Sequence, residues 1–451
     1  MKRRSRSSLA LVPLACLLAV AGCGTSPGDG RPPSAATRTP SPADTRRPAD
    51  PVTTPTAKTP VPRGKGSERA DDVNGDGYAD LVHWNSDESG GTAGLTVVHG
   101  SAKGLDPATY TRIEKGDIAG MPDWFPPTMH RADLDGDGFG DVVSAGHWLR
   151  GSPDGLRAEA ALTLTDAHGT PVTTGVPGDF DADGKADLAV TAGAGTVRIL
   201  YGPFAPDTGR PARSGQPLRL ATEYGFAAIG AGQAGGGEGD DLVLHDSNDG
   251  EQSGASLLRS GAGPGGFAGP PKKLRVGNAH AFGDFDGDGR GDLAVGDDGS
   301  RNNEPGYETE APEVDRKITV YFGAADKAPK TLTADTAGPY LAGDVDGDGD
   351  DDLVLRTAGA YGNSATVLNG GPDGPSSDDP AVLQRVGGSP AKDAYLRGAT
   401  VHSVQDFDGD GRDEVVLFRP ERGKGAVHWW VVDARTGKDV VAFTDAEFTE
   451  K

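Results

Sequence analysis

Cysteine is nearly missing from this sequence. Its 451 residues hold two, Cys16 and Cys23, and none follows. Disulfides therefore cannot hold the fold, and the body of the chain offers no thiol nucleophile. Apolar residues are scarce at 35%, and aromatics make up 6%. After the amino-terminal segment no long stretch repeats its apolar residues at helical spacing, which argues against a helical protein. Positive charge is in deficit: 44 Lys and Arg face 67 Asp and Glu, for a formal net charge of -23. Phosphate would be repelled, so nucleic acid is not an expected partner. Neither GxSxG nor HExxH occurs, and the nine histidines are scattered singly. What abounds is glycine, with 70 residues, beside 34 prolines. That composition suits many short strands joined by turns.

The amino terminus reads as a targeting segment. Lys2, Arg3, Arg4 and Arg6 form a basic start, and the apolar run from Leu9 to Val20 is too short to favour a membrane span. It ends in "VAGC", Val20 to Cys23, which resembles a bacterial lipobox. The resemblance implies cleavage before Cys23 and lipidation of its thiol; the alternative is a plain secretory signal. Residues 1–22 are then a signal peptide. Residues 23–66, rich in Pro, Thr and Ser, carry no apolar pattern and are expected to form a disordered tether. Residues 67–451 form the folded head. The expected location is the outer face of a bacterial cytoplasmic membrane, with the lipid as anchor.

One nonapeptide recurs along the head. "DVNGDGYAD" starts at Asp72, "DLDGDGFGD" at Asp133, "DFDADGKAD" at Asp179, "DFDGDGRGD" at Asp284, "DVDGDGDDD" at Asp344 and "DFDGDGRDE" at Asp406. One interval spans two units, and a degenerate copy, "QAGGGEGDD", Gln233 to Asp241, falls inside it. Six intact loops and one degenerate loop make seven repeats.

The loop chemistry points to a hard cation. Oxygen donors stand at alternate positions: Asp72, Asn74, Asp76 and Asp80 in the first loop, then Asp133, Asp135, Asp137 and Asp141. The third has Asp179, Asp181, Asp183 and Asp187; the next Asp284, Asp286, Asp288 and Asp292. The last two have Asp344, Asp346, Asp348 and Asp352, then Asp406, Asp408, Asp410 and Glu414. Position seven varies among Tyr78, Phe139, Lys185, Arg290, Asp350 and Arg412, as expected if only its carbonyl binds. Six to eight oxygens around one point suit Ca2+, at about six sites. Four carboxylates in one turn repel unless a cation lies among them. The alternative is a polar turn without metal. An EF-hand is excluded, because position twelve is His83, Ser144, Val190, Val295, Leu355 or Leu417 rather than an acid. Gly at position six in every intact loop supplies a positive φ.

A β-rich run follows each loop, as in "LVHW" and "LAVTAG", then an apolar strand ending in Gly, as in "TVRILYGPF", then one strand more. The expected fold is all-β, a seven-bladed β-propeller of four-stranded antiparallel blades, with the calcium loop between first and second strands. The loops, their spacing and "YGFAAIGAG", Tyr224 to Gly232, resemble FG-GAP (VCBS-type) repeats, as in the integrin α-chain head propeller. The resemblance implies the propeller and calcium and covers roughly residues 66–451. The degenerate loop is expected to hold no metal, and "GSERADD" is poor in apolar residues for a strand leading into the first loop.

Arg290-Gly291-Asp292 reads as a cell-attachment tripeptide, but Asp292 is position nine, committed to the loop. No nucleophile with an orienting base is visible, so the chain is expected not to be an enzyme. A polysaccharide-active enzyme is the alternative. The leading expectation is a monomeric binding or adhesion module for a glycan, cell-wall polymer or protein ligand. Trp84, Trp124, Tyr307 and Tyr361, in or beside irregular segments on the face opposite the metal loops, are its candidate contacts.

Overall fold

The computed structural model describes residues 47–48 and 58–448, apart from 87–91, 119–127, 145, 173–174, 192–194, 223, 249–250, 302–309, 360–361, 387–397, 422–425 and 446–447. Cys23, the signal segment, Trp124, Tyr307 and Tyr361 lie outside the described residues.

Seven antiparallel sheets follow one another along the chain as a seven-bladed β-propeller. Blade one comprises Leu81–Ser86, Thr92–Val98 and Tyr110–Glu114. Blade two runs from Met129–Ala132 through Asp141–Ser144 and His147–Arg150 to Arg157–Thr163. Blade three has Gly175–Gly178, Asp187–Thr191 and Thr196–Tyr201, with two short outer strands on Thr196–Tyr201. Blades four to seven each have four strands and open with Phe226–Gly232, Ala279–Gly283, Tyr340–Gly343 and Thr400–Gln405.

The sequence explains these layers. The second strand of each blade is covered on both faces by neighbouring blades, so it reads as an unbroken apolar run rather than an alternating one. Asp292–Gly296 and Asp141–Ser144 are buried along their whole length. First strands of blades two to seven approach one another around the axis. There each blade is narrow, and small residues such as those of "AHAFG" and "YLAG" fit. Side chains from adjacent blades form seven apolar cores, one for every neighbouring pair.

The uniform four-stranded expectation needs correction. Blade three has five strands, and blade one has three among the described residues. Before the first loop the chain turns back, with Asp72 N–H donating to Arg69 O at 3.3 Å. Only Asp80 N–H to Asp71 O, 2.8 Å, marks where a first strand would pair. "GSERADD" lacks the apolar residues that such a strand would bury.

The ring closes without exchanging a strand, because blade seven draws its four strands from the carboxy-terminal segment alone. Side chains close it instead. Leu81, Val98 and Tyr110 of blade one share a core with Phe407, Trp429, Phe443 and Phe448. Phe448 stacks on Tyr110 at 4.5 Å between centroids, and Arg112 Nη1 donates to Phe448 O at 2.6 Å.

Candidate metal centres

Each intact loop is shaped by its own carboxylates. The acid at position one accepts the N–H of position six: Gly77 N to Asp72 at 2.6 Å, Gly138 to Asp133 at 2.8 Å, Gly184 to Asp179 at 2.9 Å. Gly289, Gly349 and Gly411 do the same toward Asp284, Asp344 and Asp406. The acid at position five accepts the N–H of position seven in all six loops, from Tyr78, Phe139, Lys185, Arg290, Asp350 and Arg412. Position six has positive φ throughout, for example 98° at Gly77 and 86° at Gly411. So does position four, where blade three alone places a non-glycine, Ala182, at φ 58°.

Carboxylates gather at the loop centres. One ligand oxygen each from Asp133, Asp135 and Asp141 lies within 4.8 Å of the others. The same holds for Asp179, Asp181 and Asp187; for Asp284, Asp286 and Asp292; for Asp344, Asp346 and Asp348; and for Asp406, Asp408 and Asp410. Position three differs between loops: Asp181, Asp286 and Asp346 are met by Arg213, Lys327 and Asn369, and Asp408 accepts the N–H of Asp410. Both Asp135 carboxylate oxygens are buried with no hydrogen bond, although Arg150 Nη2 stands 2.5 Å from Oδ2. Asn74 Oδ1 is also buried without a partner. Burial and the neighbouring acid Asp137 push Asp135 up to about 6. Orphaned oxygens inside an oxygen-only donor set fit a hard cation and do not fit zinc or copper.

Position nine does more than was read from sequence. Its carboxylate clasps two backbone segments. One oxygen accepts the N–H of position two, as in Phe180 N to Asp187 at 3.0 Å and Phe407 N to Glu414 at 3.1 Å. In blades one, two, three, five and six the other oxygen accepts the N–H of a glycine after the third strand: Gly100, Gly151, Gly202, Gly323 and Gly370. Asp292 is therefore fully buried, with both oxygens on backbone, and no receptor can reach it in the attachment tripeptide. Burial, with the loop carboxylates adding to it, pushes Asp187, Asp292, Asp352 and Glu414 up to about 7.

The degenerate loop carries its own cation. Arg259 Nη1 donates to Asp241 Oδ2 at 2.7 Å, and Ser260 N to Oδ1 at 2.8 Å. Gly235 holds position three, and a Cβ there would meet Arg259 Nη1 at 2.4 Å. The guanidinium thus fills the space that a position-three carboxylate would occupy.

Position eight was missed as a structural position. Asp240, Asp351 and Asp413 each reach into the preceding blade. The Asp351 carboxylate accepts Asp284 N–H at 2.7 Å while Asp351 N–H donates to Asp284 O at 2.8 Å. Asp413 and Asp344 repeat this at 3.0 and 2.8 Å, and Asp240 and Asp179 at 2.8 and 2.6 Å. The signal was legible as an extra acid at the end of "GDD", "DDD" and "RDE". Burial pushes Asp413 up to about 6.

Trp84 lies within strand Leu81–Ser86, half-buried and packed on the core between blades one and two. His130, His280 and His402 stand on first strands, near the axis. His280 Nδ1 is 3.0 Å from His245 Nε2, whose own Nδ1 is 2.7 Å from Gly277 O. No histidine joins a metal-holding cluster among the described residues.

The FG-GAP repeat family matches residues 172–210, which contain the Asp179–Asp187 loop and the strands on either side of it. No curated protein matches the sequence. Among solved structures the chain is similar to a D477G ACO/RPE65 chimera, at 10% identity and TM-score 0.42, over 80% of this chain and 85% of that one. It is also similar to Bap1, a biofilm matrix protein of V. cholerae, at 12% identity and TM-score 0.35, over 87% and 82%. At these scores neither likeness carries an argument about what this chain does. The expectation that it is not an enzyme is nevertheless corrected. The first of these structures belongs to an enzyme family, and the missing motifs behind that expectation do not exclude catalysis. Sites assembled from separate strands also need no contiguous motif such as GxSxG. No helix among the described residues is long and apolar enough to cross a membrane.

Proposed function

The chain carries an FG-GAP repeat on a seven-bladed propeller of the integrin α type, and from that premise we propose that it is a calcium-stabilised extracellular binding or adhesion module. Its ligand is a glycan, a cell-wall polymer or a protein. A lipid on Cys23 holds it at the outer face of a bacterial cytoplasmic membrane, with the stretch after Cys23 as tether up to about Thr59, from which the chain is bonded to the head.

The observation that carries the calcium reading is the gathering of three carboxylates within 4.8 Å of one another at the centre of five loops. Asp135 and Asn74 place buried acceptors without hydrogen bonds inside loops that the other acids have already shaped. Ca2+ there would be held by the acids at positions one, three, five and nine and by the position-seven carbonyl. It would offset the mutual repulsion of carboxylates gathered in one turn. Extracellular placement is supported by the calcium concentration such sites need, roughly 10⁻⁴ to 10⁻³ M, and by the lipobox-like Val20 to Cys23.

The test is a binding screen of the purified protein against glycans, cell-wall polymers and surface proteins, with and without calcium. Saturable binding that weakens on calcium removal is the expected outcome, and its absence across all three classes overturns the reading. The same samples are read for new reducing ends. Reproducible turnover would move the protein to the polysaccharide-active class. Cys23→Ser should release the protein from the membrane fraction; a variant that stays there unchanged removes the anchor.

A further inference from the structure

Beside blade one, which shows no first strand among the described residues, lies a cavity of about 650 Å3. We infer that this cavity binds a small carboxylic acid that also carries an amino or hydroxyl group. Its walls come from the first strands of the two flanking blades, Met129–Ala132 and Thr400–Gln405, and from Val82 of blade one. This site lies at the axis and goes beyond the binding reading above.

Arg131 anchors the assignment. It lines the cavity, and no hydrogen bond or ion pair to its guanidinium occurs among the described residues. The acids around it are already engaged. Asp71 takes Arg69 Nε at 3.1 Å, Arg69 Nη2 at 3.3 Å and Gln405 Nε2 at 3.0 Å. Asp80 takes the N–H groups of Val73 and Gly100 and the ring of His99. Burial lowers the pKa of the Arg131 guanidinium from its ordinary value, with Asp71 and Asp80 opposing the shift. A partly desolvated guanidinium without a committed acid is matched by a carboxylate, whose two oxygens fit its fork.

The opposite wall offers acceptors. Gln405 Oε1 and His402 Nδ1 are buried and have no hydrogen-bond partner among the described residues. Burial, then the Arg131 and His83 charges, lowers His402 to about 3, so its ring is neutral and presents no competing cation. An ammonium or hydroxyl on the ligand would satisfy Gln405 Oε1, which otherwise stays unpaired. Val82, Met129 and Val404 supply the apolar flank between the two polar ends.

The described ends of this chain are committed elsewhere. The incoming segment bonds outside the cavity: Thr59 N to Ala108 O at 2.7 Å, Gly64 N to Asn74 O at 3.1 Å, Ser67 N to Gly138 O at 2.7 Å. Phe448 is locked against Tyr110 in the closure core. Arg131 also borders a second cavity, of about 800 Å3, lined in part by Asp133, Asp179 and Lys185.

The test is calorimetric titration of the full chain in calcium with L- and D-alanine, L-glutamate and L- and D-lactate. Acetate and ethylamine serve as fragments that each lack one function. At least one amino or hydroxy acid should bind saturably, at least about tenfold more tightly than either fragment, and Arg131→Gln should weaken it at least about tenfold. Acetate binding as tightly as alanine or lactate would make this a bare anion site and overturn the assignment. So would the absence of saturable heat at about 10 mM, or unchanged affinity in Arg131→Gln. If that variant does not fold, the His402 ring resonances of the unmodified protein decide. They should move on titration with the binding acid, and fixed resonances overturn the proposal.

Discussion

Ala182 adopts the left-handed conformation, φ 58°, that its counterparts Gly75, Gly136, Gly287, Gly347 and Gly409 adopt as glycines. A side chain there costs on the order of 1 kcal/mol, partly offset by glycine's larger entropy loss on folding. Ala182→Gly should therefore hold or raise the melting temperature, by up to about 1 kcal/mol in stability. Gly136→Ala should lower it by a similar amount through backbone strain alone, since a Cβ at Gly136 meets no atom within 4 Å. Thermal melts of both variants check this; a Gly136→Ala protein as stable as the parent would sink it. Arg259 makes the opposite kind of prediction. Its ion pair with buried Asp241 replaces a metal, so Arg259→Met should destabilise by about 1 kcal/mol, a figure discounted for the exposure of the arginine. The loss should be the same with and without calcium. Glu238, exposed in the same loop, should tolerate substitution.

Loops and strands carry the pH dependence. Without metal, Asp187, Asp292, Asp352 and Glu414 are raised to about 7, with burial as the largest cause. These folded-state values lie above the unfolded ones, so the stability they contribute is complete below about pH 4 and is lost as pH rises through about 7. Metal-stripped protein should therefore melt at a higher temperature at pH 5 than at pH 8. Calcium needs the ionised form, so in millimolar calcium the gap should close or reverse, and binding at pH 6.5 should release protons. Melts across this range with proton-release measurements decide it; a pH-independent melt of the stripped protein would remove the argument. The inter-blade acids are a separate matter. Asp351→Ala removes an acceptor for Asp284 N–H and should cost about 1–3 kcal/mol. The metal-loop pattern was readable from sequence because its ligands lie close together in the chain. The extra acid of the inter-blade bridge was visible too, but its partner was not, since Asp351 meets Asp284 only when two blades pack.

At the scale of the whole ring, closure rests on packing between blades seven and one. Phe448→Ala removes a fully buried ring from that core and should cost about 3–5 kcal/mol. It should open the propeller at one seam rather than unravel it evenly, which hydrogen exchange can localise as loss of protection in blades one and seven. Uniform loss of protection would argue against closure there. If calcium fills the loops, every blade with an intact loop should gain stability. With tenfold excess over the affinity of a site, each loop adds about 1.4 kcal/mol, so the melting temperature should rise clearly between EDTA and millimolar calcium. Asp286→Ala with Asp288→Ala should reduce that rise. Equal melting temperatures, with no calcium by elemental analysis, would leave these loops as turns.

Seven repeats, their all-β character and the oxygen-only loops were determined by sequence alone. Each depends on residues close together in the chain: an acid at alternate positions, a glycine where φ is positive, an apolar run after the loop. Tertiary structure decided what depends on distant partners. Blade one stops at three described strands because "GSERADD" turns back, and the axial cavity beside Arg131 exists only once blades two and seven flank it. Asp292 belongs to the loop by its position in the repeat, but that one of its oxygens holds Gly323 while the other holds Phe285 emerged only from the fold. Arg259 lies well outside the degenerate loop in sequence and inside it in space. Short-range geometry is written in spacing, whereas burial and ion pairing across blades arise only when the ring closes.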